Sequence, residues 1–232
     1  MRQILLVLIF ISPLITFSQT RDKRSAPYTV RYNIGIQKSL SSQKFRTAFN
    51  GIFETNLSLN ARVFSTFFIG VGYQYSHFQN NKAVFAFYQA KDPKGNATGA
   101  TLSYNTRLIG NTPFIKIGYD HFFEKGFATF GLNAGYSLMH YNNVVNDSAD
   151  ANLPFPASKF NAGLLQPEIS VSFITDRSLT FSIMVAYTTA FYKFDPKEPR
   201  FNAIDELRDK SNNYFMSWIN IGFGVTLLLG KR

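Results

Sequence analysis

The chain has 232 residues, enough for one domain with a full core or one small barrel, and its lack of cysteine excludes a disulfide framework, a thiolate nucleophile and a cysteine metal site. A mean hydropathy of -0.08 argues against a helical membrane protein, whereas 16% aromatic residues is high for a soluble domain and typical of a membrane barrel with aromatic girdles. The formal net charge is +10, so anionic partners are the ones to consider.

The first residues have the pattern of a secretory signal peptide. Arg2 supplies a positive charge, residues 4–15 are apolar, and the small-residue site Thr16-Phe17-Ser18 follows. A membrane anchor is the alternative, but this apolar run is short for a spanning helix. The expected organisation is a signal peptide over 1–18, a charged periplasmic lead over 19–25 and an outer-membrane β-barrel over 26–232.

Most of the remaining chain alternates between apolar and polar residues with the period of a β-strand. In the last such segment, Ile219, Ile221 and Phe223 alternate with smaller or polar residues such as Asn220 and Gly222. In chain order, we expect strands around residues 28–37, 53–61, 67–76, 114–120, 129–138, 166–173, 179–187 and 215–229.

The fourth predicted strand is the least regular. Upstream of residues 114–120, the apolar Leu102, Tyr104 and Leu108 have the opposite parity, so we expect a β-bulge between Gly110 and Pro113. The connections alternate in length, with a moderate one first and then short and long ones in turn. The long loops are expected at 78–100, 142–161 and 193–213, with a short helical stretch at 203–210 in the last.

The two faces of these strands indicate the environment of the protein. The apolar positions are large and often aromatic, as lipid requires, whereas the polar positions are rich in Gly, Ser and Asn, sized for a crowded interior. A soluble lipocalin-like barrel or a sandwich is the alternative, but it would point its apolar residues inward. The predicted fold is therefore all-β, an eight-stranded antiparallel up-and-down transmembrane β-barrel with both termini in the periplasm.

The signal ending in Ser18-Gln19, the alternating strands and the stretch from Trp218 to Val225 resemble the small eight-stranded outer-membrane barrels of the OmpA/OmpX kind. They are more similar still to the PorT-like "outer membrane beta-barrel" proteins. The resemblance implies a location in the bacterial outer membrane and a role as an accessory subunit of an envelope secretion or assembly complex. The chain differs in its last residues, Leu229 to Arg232, since such barrels usually end on an aromatic residue.

The inward faces would carry charged side chains, which must be paired because an unpaired buried charge costs several kcal/mol. We expect a salt-bridge and amide network that fills the lumen; the alternative is a narrow channel gated by this network. The predicted charged members are Arg31, Glu54, Lys116, Asp120 and Glu168. The predicted polar members are Asn33, Asn56, Gln74, Asn133, Gln166 and Asn220.

Two histidines are the only candidates for catalysis. His77 follows Ser76, and His140 precedes Ser148 and Asp150, so the enzymatic alternative is a surface Ser-His-Asp site acting on lipid A. The spacing matches no local catalytic motif, and a lone histidine is common at the ends of aromatic-rich strands. We therefore predict no enzymatic activity, no cofactor and no metal site.

The expected partners follow from export and charge. An exported protein is not expected to meet nucleic acid, so the basic charge favours contact with outer-membrane lipid and lipopolysaccharide phosphates, or merely reflects solvated loops. The predicted function is that of a structural or interaction subunit that binds another envelope protein. The alternatives are the gated channel and a lipid A-modifying enzyme.

Overall fold

The computed structural model describes residues 26–41, 45–46, 49–80, 84–91, 97–145, 159–176, 178–192 and 215–230. The predicted signal peptide, the periplasmic lead and the helical stretch at 203–210 lie outside these residues. Strands make up most of the described chain. They are β1 Tyr28–Ser41, β2 Phe49–Arg62, β3 Phe67–Asn80, β4 Val84–Lys91, β5 Ala97–Phe123, β6 Gly126–Val145, β7 Lys159–Ile174, β8 Leu179–Phe191 and β9 Met216–Leu229.

Eight of these strands close into a barrel. Each pairs antiparallel with its neighbours in the order β1-β2-β3-β5-β6-β7-β8-β9, and β9 returns to β1 with Tyr28 opposite Leu229. The ring leaves no edge strand, since every member has two partners. The predicted eight-stranded antiparallel barrel is confirmed.

The strand ends divide the barrel into two rims. The start of β1, the end of β9 and the short connections at 63–66, 124–125 and 175–178 share one rim, here called the inner rim. The strand ends that the longer connections join lie at the opposite, outer rim. Within the described part of the chain, no helix is long and apolar enough to span a membrane.

The barrel wall has large apolar side chains on its outer face and polar ones on its inner face, the reverse of a soluble protein. On the outside, Ile36 is 72% exposed and Phe223 is 69% exposed. On the inside, Lys116 and Asp120 are completely buried. Successive residues of a strand point to opposite faces, so the alternation in the sequence becomes this separation. A surface belt of this kind is stable in lipid and not in water.

The predicted long loop at 78–100 is wrong in part. β3 continues to Asn80, and β4 pairs with the outer part of β5 from Val84 opposite Tyr104 to Lys91 opposite Ala97. This hairpin extends beyond the ring, because β4 has no other strand partner among the described residues. Backbone pairing does not require an alternating sequence, which is why the pattern did not indicate it.

The predicted bulge between Gly110 and Pro113 is also wrong. β5 pairs with β3 in one uninterrupted register, from Phe67 opposite Tyr119 to Gln79 opposite Arg107. Leu108 therefore keeps the inward parity and is fully buried. No register shift is needed, because the interior at this height is apolar. The register shifts that do occur are between Gly51 and Phe53 in β2, and between Ser39 and Ser41 in β1.

Candidate functional site: the closed interior of the barrel

Near the inner rim, one carboxylate balances two arginines. Arg31 Nη2 lies 3.0 Å from both oxygens of Asp120, and Arg62 Nη2 lies 2.8 Å from Asp120 Oδ2. The Thr129 hydroxyl donates to Asp120 Oδ1 at 2.6 Å and accepts from Arg31 Nη1 at 3.1 Å. Asp120 is fully buried, so these bonds must compensate its desolvation.

Aromatic rings enclose the two guanidinium groups. Arg31 lies over the ring of Phe68 at 4.5 Å from the centroid, and Arg62 lies over Phe122 at 5.1 Å. Gly118 is required for this packing, since a Cβ there would clash with the Phe68 ring. The cluster thus closes the inner end of the lumen with charge pairs and stacked rings.

Arg62 is a member of this cluster that the sequence did not indicate. Its position was expected to belong to a short connection, but its side chain turns back under the barrel to Asp120. It also donates to the backbone carbonyls of Ala26 at 3.1 Å and Ser65 at 2.9 Å. Arg62 is the last residue of β2 and has the inward parity of Glu54 and Asn56, so a predicted strand ending at residue 62 instead of 61 would have indicated its orientation.

In the middle of the lumen, Lys116 and Glu168 form an ion pair from opposite sides of β6. Asn133 on β6 donates from its Nδ2 to Glu168 Oε2 at 3.1 Å and to Gln166 Oε1 at 2.8 Å. Both charged side chains are almost inaccessible to solvent. The pair therefore stands in a medium where either charge alone would be costly.

Glu54 differs from the expectation that every interior charge has an opposite charge beside it. Gln166 and Asn220 donate to its Oε1 at 2.8 and 2.9 Å. Trp218 and Ser76 donate to its Oε2 at 2.9 and 3.3 Å. In the described part of the chain, Glu54 has no cation within ion-pair distance, and donated hydrogen bonds to both oxygens take that place.

The remaining predicted polar residues also lie inside the barrel. Asn33 donates to Asn56 Oδ1 at 2.9 Å, and Gln74 donates to Ser76 Oγ at 3.1 Å. The structure thus places all eleven predicted lumen residues in the interior. Through hydrogen bonds with one another and with Ser76 and Thr188, their side chains connect all eight strands of the ring.

Towards the outer rim the lumen is filled by an apolar cluster that sequence reasoning missed. The ring of Phe45, from the connection between β1 and β2, lies 5.3 Å from Phe78 and 6.2 Å from Trp218. The signal was present as apolar residues of inward parity near the outer ends of strands. The members of this outer apolar cluster are Phe45, Phe49, Phe78, Leu108, Met139, Ala162, Leu164, Ala190, Met216 and Trp218.

Comparison with known proteins finds similarity only among solved structures. No family model matches the chain, and no curated protein matches it. Among solved structures, the chain is similar to Neisserial surface protein A, with 15% identity over 88% of this chain and 98% of that one and a TM-score of 0.45. For Ail of Yersinia pestis, the identity is 8% over 87% of this chain and 99% of that one, with a TM-score of 0.42. For OprG of Pseudomonas aeruginosa, the identity is 10% over 87% of this chain and 96% of that one, with a TM-score of 0.44.

The architecture that the strand pairing shows is a closed eight-stranded antiparallel barrel. At this level of identity the likeness concerns the fold alone. The chemistry of the barrel must therefore be argued from its own residues.

Ser76 and His77 do not assemble into one site. Ser76 points inward and donates to Glu54, whereas His77 points outward and packs 5.4 Å from the Phe53 ring and 6.4 Å from Tyr75. Ser76 and His77 thus lie on opposite faces of the wall and cannot share a site. His140 has the outward parity of β6, next to the buried Met139.

The other predicted catalytic partners, Ser148 and Asp150, lie outside the described residues. The residues that the structure describes contain no group of three or more His, Cys, Asp or Glu side chains arranged to hold a metal ion.

The outer apolar cluster yields a first prediction. Phe45→Ala removes the ring that covers Phe78 and Trp218, so water should reach the indole. Because Trp218 is the only tryptophan in the chain, its emission should shift to longer wavelength and its quenching by acrylamide should increase. Phe64→Ala, at an exposed residue of the inner rim, serves as the matched control and should leave the spectrum unchanged. An unchanged Phe45→Ala spectrum would mean that this ring does not close the lumen.

Proposed function

We propose that this protein is a bacterial outer-membrane barrel with a closed lumen, acting as a structural or interaction subunit and not as an open channel or an enzyme. The observation that carries this proposal is the filling of the interior along its whole height. The Asp120 cluster occupies the inner end, the Lys116–Glu168 pair and Glu54 the middle, and the outer apolar cluster the outer end. What remains to act is the lipid-facing wall and the loops.

The orientation in the membrane is part of the proposal. Residues 1–18 would direct export, and the inner rim with both barrel ends would face the periplasm. Short turns at the rim with the termini and longer connections at the other rim are the arrangement typical of outer-membrane barrels. The net charge of +10 supports contact with anionic headgroups and with lipopolysaccharide phosphates.

The partner is proposed to be another envelope protein. The resemblance to PorT-like barrels favours a secretion or assembly complex, with this chain as an accessory subunit. We expect a tagged protein, isolated from outer membranes in mild detergent, to retain a stoichiometric protein partner through repeated washing. An unrelated eight-stranded barrel, tagged and expressed to the same level, is the control. Recovery of the tagged chain alone would contradict the subunit role.

A gated channel is the alternative that one observation favours. Several buried amide oxygens have no hydrogen-bond partner within the described part of the protein, as expected if water enters the barrel. They belong to Gln37, Asn60, Gln74, Asn133 and Asn220. If the purified wild-type protein gives single-channel conductance steps in planar bilayers, the closed-barrel proposal is wrong and the gated channel takes its place.

We propose that the protein is not an enzyme, because Ser76 and His77 lie on opposite faces of the barrel wall. A change in lipid A mass that depends on the protein and is lost in His77→Ala or His140→Ala would overturn it.

A further inference from the structure

Two prolines interrupt the backbone pairing of the barrel wall. Proline has no amide hydrogen to donate and is rare in strands that have a partner on both sides. Pro113 pairs with Tyr73 on β3, but on its other side the β5–β6 register passes from Asn111–Leu138 directly to Phe114–Gly135. One ladder hydrogen bond to β6 is thus missing at this height. We call this interruption the first seam.

The second seam, between β7 and β8, has the same construction. Pro167 pairs with Leu132 on β6, but the β7–β8 register passes from Leu165–Thr189 directly to Glu168–Ala186. Beyond this point, towards the outer rim, the described part of β8 pairs with β7 only through residues 163–165. The backbone connection between these strands is therefore short above the seam.

A side-chain hydrogen bond spans each seam from the inside. At the first, the Thr112 hydroxyl donates to Ser137 Oγ at 2.8 Å. At the second, Gln166 Nε2 donates to Thr188 Oγ1 at 2.7 Å. In both cases the donor directly precedes the proline, and the acceptor lies in the stretch of the neighbouring strand that lost its pairing. At each seam, a hydrogen bond between interior side chains thus connects the two strands where backbone hydrogen bonds are missing.

The two seams border the same pair of strands. Between them, β6 and β7 pair without interruption from Gly126–Phe173 to His140–Lys159. This pair, called the β6–β7 panel, is internally continuous and weakened along both sides. It contributes Met139, Ala162 and Leu164 to the outer apolar cluster. Outward movement of the panel would expose that cluster towards the membrane.

We propose that the β6–β7 panel opens laterally at its two proline seams and admits apolar molecules from the membrane to the outer apolar cluster. A long-chain fatty acid has the matching chemistry, because the cluster offers only hydrocarbon, thioether and aromatic groups apart from the indole N–H, which is bonded to Glu54. The proposal rests on the membrane placement but not on the subunit role. The pull-down therefore does not bear on it.

The chain offers a built-in reporter for the test. Trp218 is the only tryptophan, belongs to the outer apolar cluster, and lies opposite Thr188 of the second seam. The chain has no native cysteine, so an engineered pair forms the sole disulfide. The side-chain oxygens of Thr112 and Ser137 lie 2.8 Å apart, so cysteines at these two positions can form a disulfide across the first seam.

The experiment is quenching of Trp218 by dibrominated stearic acid in phosphatidylcholine vesicles. Thr112→Cys with Ser137→Cys is the test variant, and Thr180→Cys with Thr226→Cys, in the uninterrupted β8–β9 ladder, is the matched control. We expect quenching in the reduced test variant, a several-fold loss on oxidation, recovery with reductant, and no effect of oxidation on the control. No quenching of the wild type, equal quenching of oxidised and reduced test variants, or the same loss in the control would overturn the proposal.

A second measurement reports on the opening without a ligand. Pro113→Ala and Pro167→Ala restore the missing donors, so the β6 amides at 136–138 and the β8 amides at 187–189 should exchange with deuterium more slowly in each corresponding variant. A change of about tenfold is expected for one restored hydrogen bond. Unchanged exchange in both variants would show that the prolines do not govern the opening of the wall.

Discussion

Replacing Lys116 with methionine is expected to lower the free energy of unfolding of the inserted barrel by about 3–5 kcal/mol. The substitution keeps an unbranched side chain of similar length but leaves the Glu168 carboxylate without its cation in a site closed to solvent. Asn133 would remain as a donor to Glu168, but one amide cannot balance a full charge. Urea titration in lipid vesicles, followed by the emission of Trp218, measures the change.

Two variants make this result specific to the ion pair. Lys125→Met removes the same kind of side chain from the exposed β5–β6 turn and should change stability by less than about 0.5 kcal/mol. The double variant Lys116→Met with Glu168→Leu removes both charges and should recover most of the loss, since apolar replacement of a whole buried pair is often neutral. A single variant as stable as the wild type would refute a structural role for the pair.

Asp120→Asn is expected to be at least as damaging, with a loss of about 3–5 kcal/mol or more. Asparagine has the same shape, but it leaves both Arg31 and Arg62 without their carboxylate, and it replaces one acceptor oxygen by a donor amide that faces guanidinium groups. The inner rim should then open first. Samples heated stepwise before gel electrophoresis should therefore lose the folded band at a lower temperature than the wild type.

Asp176→Asn is the control for this variant, because Asp176 lies in the exposed β7–β8 turn. It changes the same functional group at the same rim without emptying a buried site. Arg62→Met with Asp120→Asn tests the charge balance further, since the inner cluster is left with one cation instead of two. If Asp120→Asn melts at the temperature of the wild type, the cluster is not held by its charges.

The sequence predicts which side chains face inward, because successive residues of a strand must point to opposite faces. Once a segment such as Tyr28 to Gln37 is a strand, Arg31 and Asn33 must lie on one face and Tyr32 and Ile34 on the other. The same parity located all eleven predicted lumen residues. The same parity places Phe78, Met139 and Trp218 inside, so it also indicates part of the outer apolar cluster.

The sequence-based predictions were wrong where the pairing of the backbone does not depend on the alternation of apolar and polar side chains. A bulge was inferred because Leu108 broke an expected alternation, yet the register through Gly110 is regular and the lumen itself changes from polar to apolar. The hairpin of β4 with the outer part of β5 was missed for the converse reason. Its backbone pairs without the alternation that would have identified it.

The sequence by itself determined the class of the protein, because a period of two with large apolar residues on one face and small or charged residues on the other is stable only as a closed barrel in lipid. The tertiary structure alone decided the partners within that barrel. Arg62 reaches Asp120 across 58 residues, and Trp218 reaches Glu54 across 164. Such contacts depend on the register of strands that are distant in the chain, and on side-chain length at a given height of the lumen. Neither quantity is encoded in any local pattern, and the pairing of two proline seams around one pair of strands follows from the same long-range register.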